Sequence, residues 1–156
     1  MLPRIYRNFL NGGAMKTVRN ILDAKGRDVW RIAPDESVLD AIRMMSEKSV
    51  GALLVMEGAR LAGIISERDY ARKVILKGKS SEKTPVREIM TTDVVCAAPD
   101  ESIEDCMRVM TEKRIRHLPV VENETVIGVL SIGDLVKAII EEQHFTIKQL
   151  EMYITG

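Results

Sequence analysis

APDESVLDAIRMMSEK, residues 33–48, is answered by APDESIEDCMRVMTEK, residues 98–113. Set Pro34 on Pro99, and the frame runs without a gap to Asp69 and Asp134, with about 15 identities in roughly 36 pairs. Two copies are too few for a solenoid array, so the sequence describes one small unit written twice. Ahead of this block VRNIL (18–22) echoes VREIM (86–90), with three extra residues in the first copy.

Each copy reads as the same succession of elements. Ser37 and Ser102 open stretches in which Val38, Ala41, Ile42 and Met45, and Ile103, Cys106, Met107 and Met110, recur at helical spacing. ALLVM (52–56) with LAGIIS (61–66), and HLPVV (117–121) with VIGVLS (126–131), are apolar pairs around short polar turns and predict hairpins. Helical spacing resumes over 69–77 and 134–142, and a short strand is expected before each first helix, at 29–32 and 94–97. The unit is therefore β-α-β-β-α. A unit this small leaves one sheet face uncovered, so the expected fold is mixed α/β (α+β), with the two units packed sheet to sheet about a pseudo-twofold axis. The divisions are a leader at 1–14, disordered or non-native, a first unit at 15–77, a linker at 78–85, a second unit at 86–142 and a helical tail at 143–156.

Composition narrows the function. Lys and Arg together number 23 and so do Asp and Glu, so no overall field draws the 156-residue chain to nucleic acid or an anionic membrane. Cys96 and Cys106 lack metal-ligand spacing and read as small core residues; no metal is expected. Met44, Met45, Met56, Met107 and Met110 read as core, and His144 as solvated. No apolar run approaches the roughly 18 residues of a membrane span and no signal peptide is visible, so a cytoplasmic location is expected.

GIISERD (63–69) and GVLSIGD (128–134) carry the chemistry. Ser-x-x-Asp before a helix is first a capping signal, and the chain uses it at Ser37/Asp40, Ser66/Asp69, Ser102/Asp105 and Ser131/Asp134. Ser66 and Ser131 differ because each ends a glycine-bearing strand, which opens a helix N-terminus at a strand's carboxyl end. Phosphate is stabilised there by free N–H groups and the helix dipole, and an adjacent carboxylate can accept from a ribose diol. Those residues alone leave capping and nucleotide binding both open.

The duplicated pattern, the paired PDES starts, RHLPVVE (116–122) and the two GxxSxxD phrases resemble a tandem pair of CBS domains, a Bateman module, over about residues 18–140. The resemblance implies adenosine-nucleotide binding (AMP, ATP, NAD(H) or similar) in two clefts shared between the copies. It would combine Ser66, Arg68 and Asp69 with Ala98, Ile103, Ile115 and His117 in one cleft. The other would join Ser131 and Asp134 with Ala33, Val38, Val50 and Ala52. Gly133 stands where the first copy has Arg68, and Ala52 where the second has His117, so the first cleft should hold phosphate more tightly. The resemblance further implies a homodimer that signals through dimer or partner contacts.

Three functions compete: a stand-alone nucleotide sensor, a structural or dimerisation module whose clefts bind nothing, and an enzyme. No general acid–base pair, nucleophile or catalytic residue can be placed at one cleft, which disfavours the enzyme. Arg72 and Lys73 read as a solvated helix face, Trp30 as a cap on a cleft or subunit contact. Phe145, Ile147, Leu150 and Tyr153 in the tail should pack on the chain's own unit or on a second subunit.

Overall fold

The computed structural model describes residues 16–155; the expected leader lies outside them. The elements are α1 (Val18–Lys25), β1 (Arg31–Ile32), α2 (Val38–Lys48), β2 (Ala52–Glu57), β3 (Arg60–Ser66), α3 (Glu67–Tyr70), α4 (Ile103–Lys113), β4 (His117–Glu122), β5 (Thr125–Ser131) and α5 (Ile132–Thr155). A π-helical turn, Ala71–Ile75, extends α3, and a 3-10 turn spans Val86–Glu88. The mixed α/β class and the repeated order follow the sequence reading, and the described residues form two compact units, 28–95 and 16–27 with 96–155.

In the 28–95 unit a three-stranded sheet runs β1-β2-β3, with β1 parallel to β2 and β2 antiparallel to β3. Ser37 starts α2 as foreseen, its hydroxyl accepting from the Asp40 N–H at 3.1 Å. Val38, Ala41 and Met45 bury one helix face with Leu53, Val55, Ile65, Val74, Val86 and Ile89. β1 is shorter than the expected 29–32: its parallel pairing with β2 begins only at Arg31, opposite Leu54, and it ends at Ile32 as expected, just ahead of Pro34.

The other unit repeats the hairpin as β4–β5 and the capped helix as α4, where Ser102 accepts from Asp105 N–H at 3.1 Å. The strand expected at 94–97 is reduced to one parallel bridge, Ala97 with Val120. Cys106 is buried, but Cys96 is exposed, contrary to the core reading: it precedes the buried Ala97 and points to solvent as the chain approaches that bridge. The last helix is a single element of 24 residues that takes in the whole described tail. Its buried residues, Leu135 and Ala138, lie in its first turns.

The compact units do not follow the sequence repeats. α1 precedes the first copy yet packs on the second: Val18 N donates to Glu101 O at 3.0 Å, Arg19 N to Pro99 O at 2.9 Å, and the Arg19 guanidinium meets Glu122 at 2.6 Å. The echoing segment before the second copy packs on the first in the same way. Val86 N donates to Glu36 O at 2.8 Å and Arg87 N to Pro34 O at 3.0 Å, while the Arg87 side chain pairs with Asp35. The 78–85 stretch, read as a polar link, also joins the 28–95 unit: Val38 N donates to Thr84 O and Leu39 N to Ser81 O, and Thr84 is buried.

This exchange explains the glycine of each GxxSxxD phrase. A Cβ on Gly63 would lie 2.8 Å from both the Thr91 carbonyl oxygen and Met90 Sδ; one on Gly128 would lie 2.7 Å from Leu22 Cδ2. Each glycine is the place where the lead segment crosses the hairpin.

Candidate functional site

Both Ser-x-x-Asp phrases sit where a hairpin strand ends and a helix begins. At the end of β3, Ser66 Oγ accepts from Asp69 N–H at 3.2 Å. Asp69 Oδ2 accepts from Ser66 N–H and from its hydroxyl, each at 3.0 Å. The other carboxylate oxygen, Oδ1, meets Lys73 Nζ at 3.0 Å, and Lys73 also donates to Ile89 O at 2.9 Å. The Asp69 side chain is 14% exposed, so its charge is compensated in a poorly hydrated place. Lys73, read from the sequence as part of a solvated helix face, keeps its side chain 44% exposed but is held by both of these bonds. The i,i+4 spacing from Asp69 was the available signal.

The second phrase is built alike but receives its cation from far away. Asp134 Oδ2 accepts from Ser131 N–H at 2.8 Å, and Ser131 Oγ accepts from Asp134 N–H at 3.1 Å. Lys25, the last residue of α1, donates to the same Oδ2 at 2.6 Å and to Val129 O at 2.8 Å. Nothing in the sequence announces this pairing, because 109 residues separate its members and only the exchanged α1 brings them together. Burial of the Asp134 carboxyl opposes its ionisation, but hydrogen bonds from Lys25 and Ser131 outweigh this and hold it below the usual range.

His117 opens β4 directly across from Ser131, as Ala52 opens β2 across from Ser66. Burial lowers the imidazole's pKa; Asp134 pulls it up, and Lys25 and Arg116 push it down again. The sequence reading grouped His117 with Ser66, Arg68 and Asp69; inside its own unit the charges that act on it are Asp134, Lys25 and Arg116.

The other site residues fall on the same framework. Ala33 is exposed at the turn into α2, Val38 is fully buried beneath it, and Val50 and Ala52 are half-buried at the start of the hairpin. In the second copy Ala98 is exposed, Ile103 fully buried and Ile115 half-buried. The full burial of Val38 and Ile103 gives both a packing role in their own units. Arg68 is half-buried at the start of α3, and Arg72 is exposed as expected. Trp30 stacks under Lys48, whose Nζ lies 4.4 Å from a ring centroid, a cation–π contact within its own unit.

Little here suggests covalent chemistry. Burial first, then the carboxylates of Glu101 and Asp105, push the Cys106 thiol up to about 12, and burial raises Cys96 as well, so neither is held as a reactive thiolate. Among the described residues no cluster of His, Cys, Asp and Glu is arranged to hold a metal, and no helix is long and apolar enough to cross a membrane.

The CBS domain family profile matches the chain twice, over residues 18–75 and 86–141. The CBS domain-containing protein CBSX3, mitochondrial, of Arabidopsis thaliana is 38% identical over 156 residues, covering 94% of this chain and 75% of the relative. A solved structure described as a putative signal-transduction protein with CBS domains from Burkholderia ambifaria MC40-6 is 50% identical. It covers 82% of this chain and 96% of its own, with a TM-score of 0.80. The CBS domain pair of protein MJ0100, solved with 5-methylthioadenosine and S-adenosyl-L-methionine, shares the fold at a TM-score of 0.72 and 23% identity, covering 81% of this chain and 98% of its own. With both copies matched and the relatives aligned across most of their length, the chain belongs to the CBS-domain family, as a tandem pair of CBS domains.

Proposed function

We propose that this CBS pair is a regulatory sensor of adenosine nucleotides, such as AMP, ATP, NAD(H) or S-adenosylmethionine, and that it reports occupancy through contacts with a second subunit or a partner protein. It regulates rather than catalyses, and the cytoplasm is its proposed setting. The observation that carries the reading is the repeated triad of hydroxyl, carboxylate and lysine at the two strand-to-helix junctions: Ser66, Asp69 and Lys73, and Ser131, Asp134 and Lys25. Each carboxylate is mostly withdrawn from water and retains acceptor capacity beyond its capping bonds, as a ribose diol requires. Each lysine is a cation that a phosphate can draw away. The MJ0100 pair, which holds two adenosyl compounds, supports the ligand class by its fold.

A second reading, a structural module, is favoured by one observation. Ser66 with Asp69 forms a complete reciprocal capping box, a full structural reason for those residues. Titration calorimetry with AMP, ATP, NADH and S-adenosylmethionine separates the two. The sensor reading expects at least one ligand to bind, and Asp69→Asn or Asp134→Asn to weaken it by about tenfold to a hundredfold, the loss of a charge-assisted hydrogen bond of roughly 1.5–3 kcal/mol. Arg68→Ala and His117→Ala should weaken AMP more than adenosine. Silence from all four ligands would leave the structural module standing.

A further inference from the structure

The two strand-to-helix junctions differ in how their carboxylates are filled. A carboxylate offers its two oxygens and about four lone-pair places to donors. On Asp69, Oδ2 takes two donors from Ser66, the N–H and the hydroxyl, each at 3.0 Å, and Oδ1 takes Lys73 Nζ at 3.0 Å. That leaves about one place. On Asp134 both donors fall on Oδ2, Ser131 N–H at 2.8 Å and Lys25 Nζ at 2.6 Å. Oδ1 receives no hydrogen bond from the described residues, which leaves about two places.

The asymmetry is written in the repeat. In its frame Lys73 stands where the second copy has Ala138, so the second helix carries no lysine one turn beyond its acid. The cation at Asp134 comes instead from the end of α1 and shares the oxygen already used by the cap.

A ribose presents two neighbouring hydroxyls that donate together. Asp134 can receive both on Oδ1 with Lys25 in place. Asp69 is one place short, so a present donor has to leave. Ser66 is hard to move, because its N–H is backbone and its Oγ also accepts from Asp69 N–H at 3.2 Å. Lys73 is easier: its side chain is 44% exposed and its ammonium rides on a flexible four-carbon stem. Its departure still costs free energy. Asp69, 14% exposed, loses a charge partner, and the carbonyl of the buried Ile89 loses its 2.9 Å bond from Nζ.

A neutral nucleoside offers the displaced ammonium nothing in return, whereas a phosphate offers it a second anion. We propose that Lys73 makes the Asp69 junction selective for nucleosides that carry a phosphate, holding the carboxylate against neutral nucleosides and moving to the phosphate when one is present, while the Asp134 junction takes nucleosides with or without one. This selectivity rests on the nucleotide reading and narrows the ligand class of one of its two junctions.

Titration calorimetry with adenosine and AMP tests it on the full chain. An Asp134→Asn background isolates the Asp69 junction, an Asp69→Asn background the other, and urea unfolding shows that each variant is folded. At the Asp69 junction AMP should bind at least roughly tenfold more tightly than adenosine, the worth of a charge-assisted hydrogen bond. Lys73→Met should raise adenosine affinity about three- to tenfold, as release from a half-exposed ion pair allows, and should lower AMP affinity. Lys73→Arg, which keeps the cation, should keep the preference for AMP. Adenosine should bind the Asp134 junction more tightly than the Asp69 junction. A Lys73→Met variant that shifts both ligands by the same factor, or leaves adenosine where it was, overturns the proposal while the nucleotide reading stands. Silence from both ligands in every variant overturns it as well, and the four-ligand titration then decides whether the nucleotide reading falls too.

Discussion

Gly63→Ala should destabilise the chain far more than Gly128→Ala, although the glycines occupy equivalent positions in the two copies. At Gly63 a new Cβ meets the Thr91 carbonyl oxygen and Met90 Sδ at 2.8 Å each. Ordinary contact begins near 3.4 Å, so one side must move by about 0.6 Å. Met90 can rotate, but Thr91 cannot yield cheaply: its N–H donates to Ile64 O at 2.9 Å and its carbonyl accepts from Ile64 N–H at 3.0 Å. Overpacking of about 1–3 kcal/mol is therefore joined by the strain of a hydrogen-bond pair worth roughly 0.5–1.5 kcal/mol per bond. A gain of about 0.5–1 kcal/mol from restricting the unfolded glycine offsets part of this. The net expectation is a loss of about 1–3 kcal/mol.

At Gly128 the obstacles are the ends of one side chain, Leu22 Cδ2 at 2.7 Å and Cδ1 at 3.0 Å. An off-rotamer leucine costs roughly 0.5–1.5 kcal/mol, so after the same offset the loss should be about 1 kcal/mol or less. Urea unfolding of the full chain measures both, and at this size each kcal/mol moves the melting temperature by about 2–4 °C. Met90→Ala should rescue Gly63→Ala only in part, because the carbonyl remains. Equal losses for the two glycines, or full rescue by Met90→Ala, would refute the claim that backbone crossing makes Gly63 obligatory.

Three further expectations concern the second copy. Asp134 is held below its unfolded value, so its pairing stabilises the fold above about pH 4 and the contribution is lost as pH falls through the lowered value; Lys25→Met should be less stable than the parent at neutral pH, with the difference closing in acid. His117 is also lowered, so stability should decline from about pH 6.5 downward; in an NMR titration Asp134→Asn should move its midpoint lower still and Arg116→Gln should raise it. Finally, the β4–β5 turn places Asn123 and Glu124 at φ 51° and 63°, which suits Asn-Gly; Glu124→Gly should raise unfolding stability by about 0.5–1 kcal/mol.

The sequence by itself determined whatever depends on neighbours along the chain. The repeat frame, the caps at Ser37 and Ser102, the hairpins and the strand-to-helix junctions at Ser66 and Ser131 rest on spacings of a few residues, and each was legible. Even Lys73 was within reach, one helical turn from Asp69. Tertiary structure alone decided which copy each lead segment serves. VRNIL and VREIM look like parts of the copies they precede, but their hydrogen-bond partners, Pro99 and Glu101 for one and Pro34 and Glu36 for the other, belong to the opposite copies. No local pattern encodes that exchange, because the two lead segments are similar and so are the surfaces that receive them; the choice is made by where the chain can reach. From it follow the Lys25 contact with Asp134 and the role of Gly63 and Gly128, which the sequence showed only as glycines in the strands that end at Ser66 and Ser131 and which the packed molecule uses where the lead segments cross the hairpins.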